Sequence, residues 1–349
     1  MAEKIPVGIL GATGMVGQQF INFLQGHPWF EIAWLAASDR SAGKKYSEAT
    51  TWRLDGEMPE NVRDLVVNES KPAPGAPKLV FSAMDASVAT EIERAFAQAG
   101  HIVVSNSRNH RMEPDVPLLV PEINPDHLKI LPVQRERRGW PGAIVTNPNC
   151  STIVLTMALA PLKPFGIEKV LVTTLQAISG SGYPGHSAFD MTANVYPFIK
   201  NEEPKMETET QKILGECSGE SFAAHPMKVS AACNRVVVLD GHTETISVEF
   251  REKPSETDLL EAFRSFRGLP QERGLPSAPP RPVIYMTQPD RPQPRRDVNR
   301  ENGMAVFVGR LRECPVLHWK FLAMGHNTVR GAAGAAVLNA ELLKSEGLL

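Results

Sequence analysis

The chain has 349 residues, 42% of them apolar, and its 37 basic and 39 acidic side chains leave a formal charge of −2. That length suggests two domains whose cores need neither disulfides nor a structural metal. The charge balance excludes the basic stripe of a nucleic-acid or membrane-surface protein, and no run of about 18–20 apolar residues is present to span a bilayer.

The opening MAEKIPVGILGATG enters a strand-and-glycine pattern at once. It shows neither the apolar core nor the small-residue cleavage site of a signal peptide, so a cytoplasmic enzyme is expected. Residues 5–10 read as a strand and residues 15–24 as a helix, with Met15, Val16, Phe20, Phe23 and Leu24 giving helical apolar spacing. Residues 32–37 and 78–83 read as strands, 88–99 as a helix and 101–105 as a further strand. This alternation predicts a parallel sheet covered on both faces.

From residue 150 the texture changes. An apolar stretch follows Cys150, then strand-like runs at 169–177, 235–239, 243–250, 305–310 and 318–323, with helices near 206–214 and 256–266. Strands paired mostly with strands predict an α+β domain with a mixed sheet. An Ala-rich helix at 331–342 is expected to return to the first domain. The Pro-rich stretch 268–302, with one apolar run at 283–286, reads as an ordered arm at a subunit interface, because long structureless loops are uncommon in compact domains. The expected fold is α/β: a Rossmann-like domain of residues 1–149 and 328–349, and an α+β domain of residues 150–327.

GATGMVG, residues 11–17, follows a strand and opens a helix. Gly11, Gly14 and Gly17 permit a tight turn and close backbone approach to a pyrophosphate seated at the helix N-terminus. Gly11, Thr13, Gly14, Met15 and Val16 are thus cofactor-contact candidates. At the end of the second strand, Asp39 suits the ribose hydroxyl of NAD. Ser38, Arg40 and Ser41 offer two hydroxyls and a cation, which suit the extra phosphate of NADP, and NADP(H) is the expected cofactor.

The cysteines Cys150, Cys217, Cys233 and Cys314 form no CxxC pair, so neither a zinc site nor a disulfide frame is indicated. Cys150, in NPNCST, falls at a helix N-terminus, where dipole and free N–H groups lower a thiol pKa and hold an oxyanion. The other three read as buried and inert. A thiolate needs a proton manager, and His242, in the turn-like DGHTE, is a candidate; spacing alone does not bring it to Cys150. His186 and His326, in glycine-flanked stretches, are minor candidates.

GATGMVG, NPNCST, LQAISGSG, the pair Arg235 and His242, and NTVRGAAGAA, in that order along nearly the whole chain, resemble aspartate-β-semialdehyde dehydrogenase. The archaeal and fungal type shares ASxRSAGKKY near residue 40 and DRPQPR near residue 290. N-acetyl-γ-glutamyl-phosphate reductase, a related acyl-phosphate reductase, has Gly-Cys-Tyr at its nucleophile where this chain has Asn-Cys-Ser. The resemblance implies NADPH-dependent reductive dephosphorylation of β-aspartyl phosphate, on the route to lysine, threonine and methionine, in a homodimer or homotetramer acting on small molecules, with residues 1–149 and 328–349 as the NADP-binding domain and residues 150–327 as the catalytic and dimerisation domain. It implies Cys150 as nucleophile, His242 as acid/base and Gln176 as the group orienting the acyl carbon. Arg235 would bind the substrate carboxylate, seven residues before His242 on one strand and its turn. Arg108 and Lys205 would bind phosphate, and Glu202 the ammonium. Asn327, Gly180 and Gly182 would line the nicotinamide end. Two other readings exist: a malonyl-CoA reductase using the same cysteine and histidine, and a nucleotide-binding protein without chemistry.

Overall fold

Residues 3–349 are described by a computed structural model. The first sheet has six strands, β1 (Ile5–Leu10), β2 (Phe30–Ala37), β3 (Val67–Glu69), β4 (Leu79–Ser82), β5 (Ile102–Ser105) and β6 (Ala143–Thr146), in the order β3-β2-β1-β4-β5-β6. Every pairing is parallel. The order reverses between β1 and β4, the kind of switch point that opens a crevice beyond the strand ends. Helices α1 (Met15–Phe23), α2 (Ala86–Gln98) and α3 (Leu131–Arg138) join these strands. The strands β3 and β6 carry no expectation from sequence.

The second sheet is mixed. β7 (Ile167–Gln176), β10 (Lys228–Arg235), β11 (His242–Phe250), β12 (Val283–Met286), β13 (Val306–Glu313) and β14 (Trp319–Gly325) lie in the order β10-β7-β11-β14-β13-β12, and β8 (Glu216–Cys217) with β9 (Phe222–Ala223) forms a separate two-stranded piece. The β10–β7 and β12–β13 pairs are parallel and the rest antiparallel. On the inner face lie α4 (Cys150–Leu159), α5 (Glu202–Ile213) and α6 (Glu256–Ser265), whose Ile153, Met157, Met206 and Phe263 share a core with Val170, Ile246 and Phe321. The outer face of β7 stays open, with Leu171 and Leu175 exposed. Among the described residues no helix is long and apolar enough to cross a membrane.

Three expectations need correction. Residues 235–239 are not a strand: β10 ends at Arg235, and Val237 and Leu239 are exposed in the loop to β11. That loop spends its backbone on residues 178 and 179, whose N–H groups donate to the carbonyls of Val238 and Leu239. The strand that is present, KVSAACNR, alternates small residues and lacks an apolar run. Helix α5 starts at Glu202 rather than Met206, because Pro204 falls in the first turn, where its missing N–H costs nothing. The last helix is preceded by a wide π-type turn, Val329–Ala333, and runs as α7 (Gly334–Ser345).

Val337, Leu338, Leu342 and Leu343 of α7 fill the core of the first sheet. Arg330, just before it, makes a bidentate pair with Glu122 at 2.7 Å on each arm, both side chains fully buried. The Pro-rich stretch is ordered against this helix, with the Ser277 N–H and hydroxyl donating to Glu341, and it contributes β12 to the second sheet.

Candidate functional site

Asn149 caps α4, its Oδ1 accepting from the N–H groups of Ser151 (2.9 Å) and Thr152 (3.1 Å). Cys150 is therefore the first helical residue, on a helix buried from Ser151 to Leu159, and its Cα cannot wander. The π-type turn presses against it: a Cβ on Gly331 would lie 2.8 Å from the Cβ of Cys150, so only glycine fits.

The Sγ of Cys150 lies 3.1 Å from Nε2 of His242. On the far side of the ring, the Ala177 N–H donates to Nδ1 at 3.0 Å. An acceptor Nδ1 fixes the neutral tautomer with its proton on Nε2, aimed at the sulfur. Burial, with the Arg235 charge adding to it, pushes the His242 pKa down to about 3, so the ring is neutral. Burial also pushes the Cys150 thiol up to about 12; the Glu202 carboxylate adds to this and Arg235, Lys205 and Arg111 oppose it. The thiol is thus raised rather than lowered from its ordinary value, because desolvation and a neighbouring carboxylate oppose the thiolate.

Strand register assembles the rest. Arg235 at the end of β10 sits opposite Gln176 at the end of β7, and His242 opens β11 opposite Gly325 of β14. Arg235 and His242 therefore stand on two strands, not on one strand and its turn. Arg235 is 3% exposed; its Nη1 donates to the Ala177 carbonyl at 2.7 Å, while its Nε is buried with no partner among the described residues. Gly180 walls this pocket, since a Cβ there would lie 2.9 Å from Nη1 of Arg235 and 3.2 Å from Cε1 of His242.

Gln176 donates through Nε2 to Glu202 Oε1 at 2.9 Å and to the Ser151 hydroxyl. Glu202 also accepts from Asn149 Nδ2 (2.8 Å) and Lys205 Nζ (2.7 Å). Burial works against its ionisation, but the Lys205 charge and these hydrogen bonds hold it down to about 2. One row deeper, Glu244 stands opposite Thr174, fully buried, with neither carboxyl oxygen partnered among the described residues. Burial, reinforced by the Glu202 charge, pushes its carboxyl well above the ordinary range, so it is a neutral acid.

The structure separates the two arginines of NSRNHR. Arg108 is exposed and its charge acts on Asp85, which lines the dinucleotide cleft. Arg111 is buried, donates to Glu209 Oε1 at 3.0 Å and to the Asn106 carbonyl at 2.8 Å, and acts on Cys150. The other oxygen of Glu209 accepts from the N–H of Asn149, the residue before the nucleophile, at 2.7 Å. Sequence reading passed over Arg111; its one signal was the shared run with Arg108.

A cleft of about 900 Å³ opens at the switch point, lined by Gly11, Thr13, Gly14, Met15 and Val16, and by Ser38, Asp39 and Gly182. Gly11 has φ +76°, and a Cβ there would lie 2.7 Å from the Ala83 carbonyl oxygen. A Cβ on Gly17 would lie 2.2 Å from the Gly11 oxygen. Gly14, at the start of α1, meets no such crowding, and the cradle fits a pyrophosphate. Arg40 is exposed and Ser41 buried, and neither lines the cleft; its cations are Arg53 and Lys71. Asn327 has both ends of its amide engaged: Oδ1 accepts from the Gly241 N–H at 2.8 Å and Nδ2 donates to the Ser179 hydroxyl at 2.7 Å. It ties the loops around the pocket together.

His186 lies against Tyr196 and His326 beside Thr328, whereas the hydrogen-bond partner of Cys150 is His242. Of the remaining cysteines Cys233 is buried, while Cys217 and Cys314 are half-buried.

The family models for the semialdehyde dehydrogenase NAD binding domain and dimerisation domain match residues 6–131 and 159–330. The chain is 52% identical to the aspartate-semialdehyde dehydrogenase of Methanothermobacter thermautotrophicus, covering 97% of this chain and 99% of that one. It is 44% identical to the one of Saccharomyces cerevisiae, covering 100% of both. Among solved structures, aspartate semialdehyde dehydrogenase with NADP from Candida albicans superposes with a TM-score of 0.92 at 45% identity, over 99% of this chain and 100% of that one.

Proposed function

The chain belongs to the aspartate-semialdehyde dehydrogenase family, and we propose that it reduces β-aspartyl phosphate to aspartate 4-semialdehyde and phosphate, with NADPH, through a thioester on Cys150. The contact of Cys150 Sγ with His242 Nε2 at 3.1 Å, in one row with Arg235, is the observation that carries this reading.

The Nε of Arg235, without a partner among the described residues, suits a carboxylate, and the Glu202 carboxylate suits an ammonium. Arg111 with Lys205, rather than Arg108, supplies positive charge beside the sulfur for the departing phosphate. Binding the dianionic acyl phosphate next to Cys150 brings its carbonyl to the sulfur. As the C–S bond forms and the C–O bond to phosphate breaks, the thiol proton passes to the departing oxygen, and the group leaves as hydrogen phosphate with its two negative charges. Gln176 exchanges its Ser151 contact for the acyl oxygen. NADPH, when bound, supplies the hydride. His242, with its proton on Nε2, donates a hydrogen bond to the oxyanion of the resulting tetrahedral thiohemiacetal; the C–S bond breaks as the aldehyde C=O forms, the sulfur leaves as thiolate and takes a proton from solvent, and in reverse the same N–H holds the oxyanion that thiolate attack forms. The cytoplasmic setting and the place before lysine, threonine and methionine follow from the same proposal. A homodimer formed through the open face of β7, with Leu171 and Leu175 at its centre, is the assembly we favour.

The test is NADP reduction with aspartate semialdehyde, with and without inorganic phosphate, in the wild type and Cys150→Ala. Phosphate-dependent reduction that vanishes in the variant supports the proposal. Reduction that needs CoA and malonate semialdehyde instead would move the substrate to a CoA thioester. Silence with both would leave a nucleotide-binding protein.

A further inference from the structure

The dinucleotide cleft contains a cation that the glycine loop and the catalytic row do not account for. Arg53 sits on the loop after residue 50, and three hydrogen bonds tether that loop to α1 and the glycine turn. The Gln18 Oε1 accepts from the Arg53 N–H at 2.8 Å, the Gln18 Nε2 donates to the Thr51 carbonyl at 2.9 Å, and the Thr50 hydroxyl donates to the Thr13 carbonyl at 3.2 Å. Gln18 is fully buried, so the base of Arg53 is held beside the phosphate cradle. Its guanidinium then reaches across the mouth and lies over the ring of Tyr183, 3.5 Å from the centroid. Tyr183 is 64% exposed and follows Gly182, whose φ is +71°, on the segment leading out of β7. Arg53 lines both this cleft and the adjoining one of about 820 Å³ that contains Ser179 and His326, so it stands between the glycine loop and the catalytic side.

We propose that Arg53 binds the pyrophosphate of the dinucleotide and that Tyr183 clips it over the bound cofactor. A guanidinium stacked on an aromatic face keeps its in-plane N–H donors free, so Arg53 offers its fork to phosphate oxygens without leaving the ring. The tether to Thr13 points to the pyrophosphate rather than to the 2′-phosphate, which belongs at the far end of the cleft beside Ser38 and Asp39.

The inference rests on the NADP reading of the cleft. Its test is the dissociation constant of NADPH and NADH, followed by nucleotide fluorescence in the wild type, R53A, R53K, Y183A and Y183F, with thermal melts to confirm folding. R53A should weaken both nucleotides at least about tenfold, and by the same factor, with R53K recovering part of the loss. Y183A should weaken them about threefold, while Y183F, which keeps the ring, should not. Unchanged binding in folded R53A overturns the proposal. Loss confined to NADPH overturns the pyrophosphate assignment, and equal constants for Y183A and Y183F overturn the clip. Failure of the wild type to bind either nucleotide would instead overturn the NADP reading itself.

Discussion

In the catalytic row, Gln176, Arg235 and His242 come from neighbouring strands, are at most 3% exposed, and are fixed by a ladder that allows no half-step. In the dinucleotide cleft, Thr13, Ser38, Asp39 and Arg53 come from loops, and the far wall, Tyr183, stands in solvent. The row holds its groups in place before substrate arrives, at the cost of desolvating them; the cleft leaves its groups open to solvent. Damage to the row should therefore appear in turnover, and damage to the cleft in affinity.

The largest break in that contrast would come from Cys150→Ala. It should lower kcat by roughly 10⁴-fold or more while the NADPH dissociation constant moves less than about twofold. A large loss of NADPH affinity in this variant would show that row and cleft are not separable. His242→Asn should cost about 10²–10³-fold in kcat, since the imidazole N–H no longer faces the oxyanion. Arg111→Lys should lower kcat/KM for the acyl phosphate about tenfold or more, because a point charge replaces a fork already engaged with Glu209. Arg108→Lys should remain within about twofold, and the opposite ranking would return the phosphate contact to Arg108.

Two pH measurements sharpen the comparison. With the thiol at about 12, the rate of Cys150 alkylation by iodoacetamide in the ligand-free enzyme should climb steadily from pH 7 to 10. A plateau near pH 8 would indicate a thiol that the helix terminus had lowered after all. Glu244 has a folded pKa raised above its unfolded value, so the folded state binds the extra proton and stability falls as pH rises through the unfolded pKa toward the folded one. Glu244→Gln removes that loss, so its melting temperature should gain on the wild type as pH rises above the ordinary carboxylate range. A constant offset would show Glu244 to be ionised or solvated. This is the smallest effect of the set.

Sequence reading reached the two layers because their signals are local: the glycine turn before an amphipathic α1, and the apolar helix behind Cys150. It named Cys150 and His242 but could not join them, since their contact depends on how β11 is placed beside β7 and under α4. It misplaced the strand before His242 because the VVVL run is more apolar than β10 and yet packs as a loop. It took Arg40 for a cleft residue and passed over Arg53, whose position depends on a tether from Gln18, 35 residues away. The neutral state of Glu244 had no sequence signature, because burial and the Glu202 charge set it, and both belong to the folded molecule.

Helix α7, which closes the core of the first sheet, also sets an order of events during synthesis. When β1 to β6 have left the ribosome, the surface that Val337, Leu338, Leu342 and Leu343 will cover is still bare, and Glu122 still lacks Arg330. The nascent first layer must hold that apolar surface exposed while the whole second layer is made, about 10–40 s at ordinary translation rates. A chaperone that recognises apolar surface has its natural window there, and a premature stop anywhere between β6 and α7 releases a chain with an uncovered core.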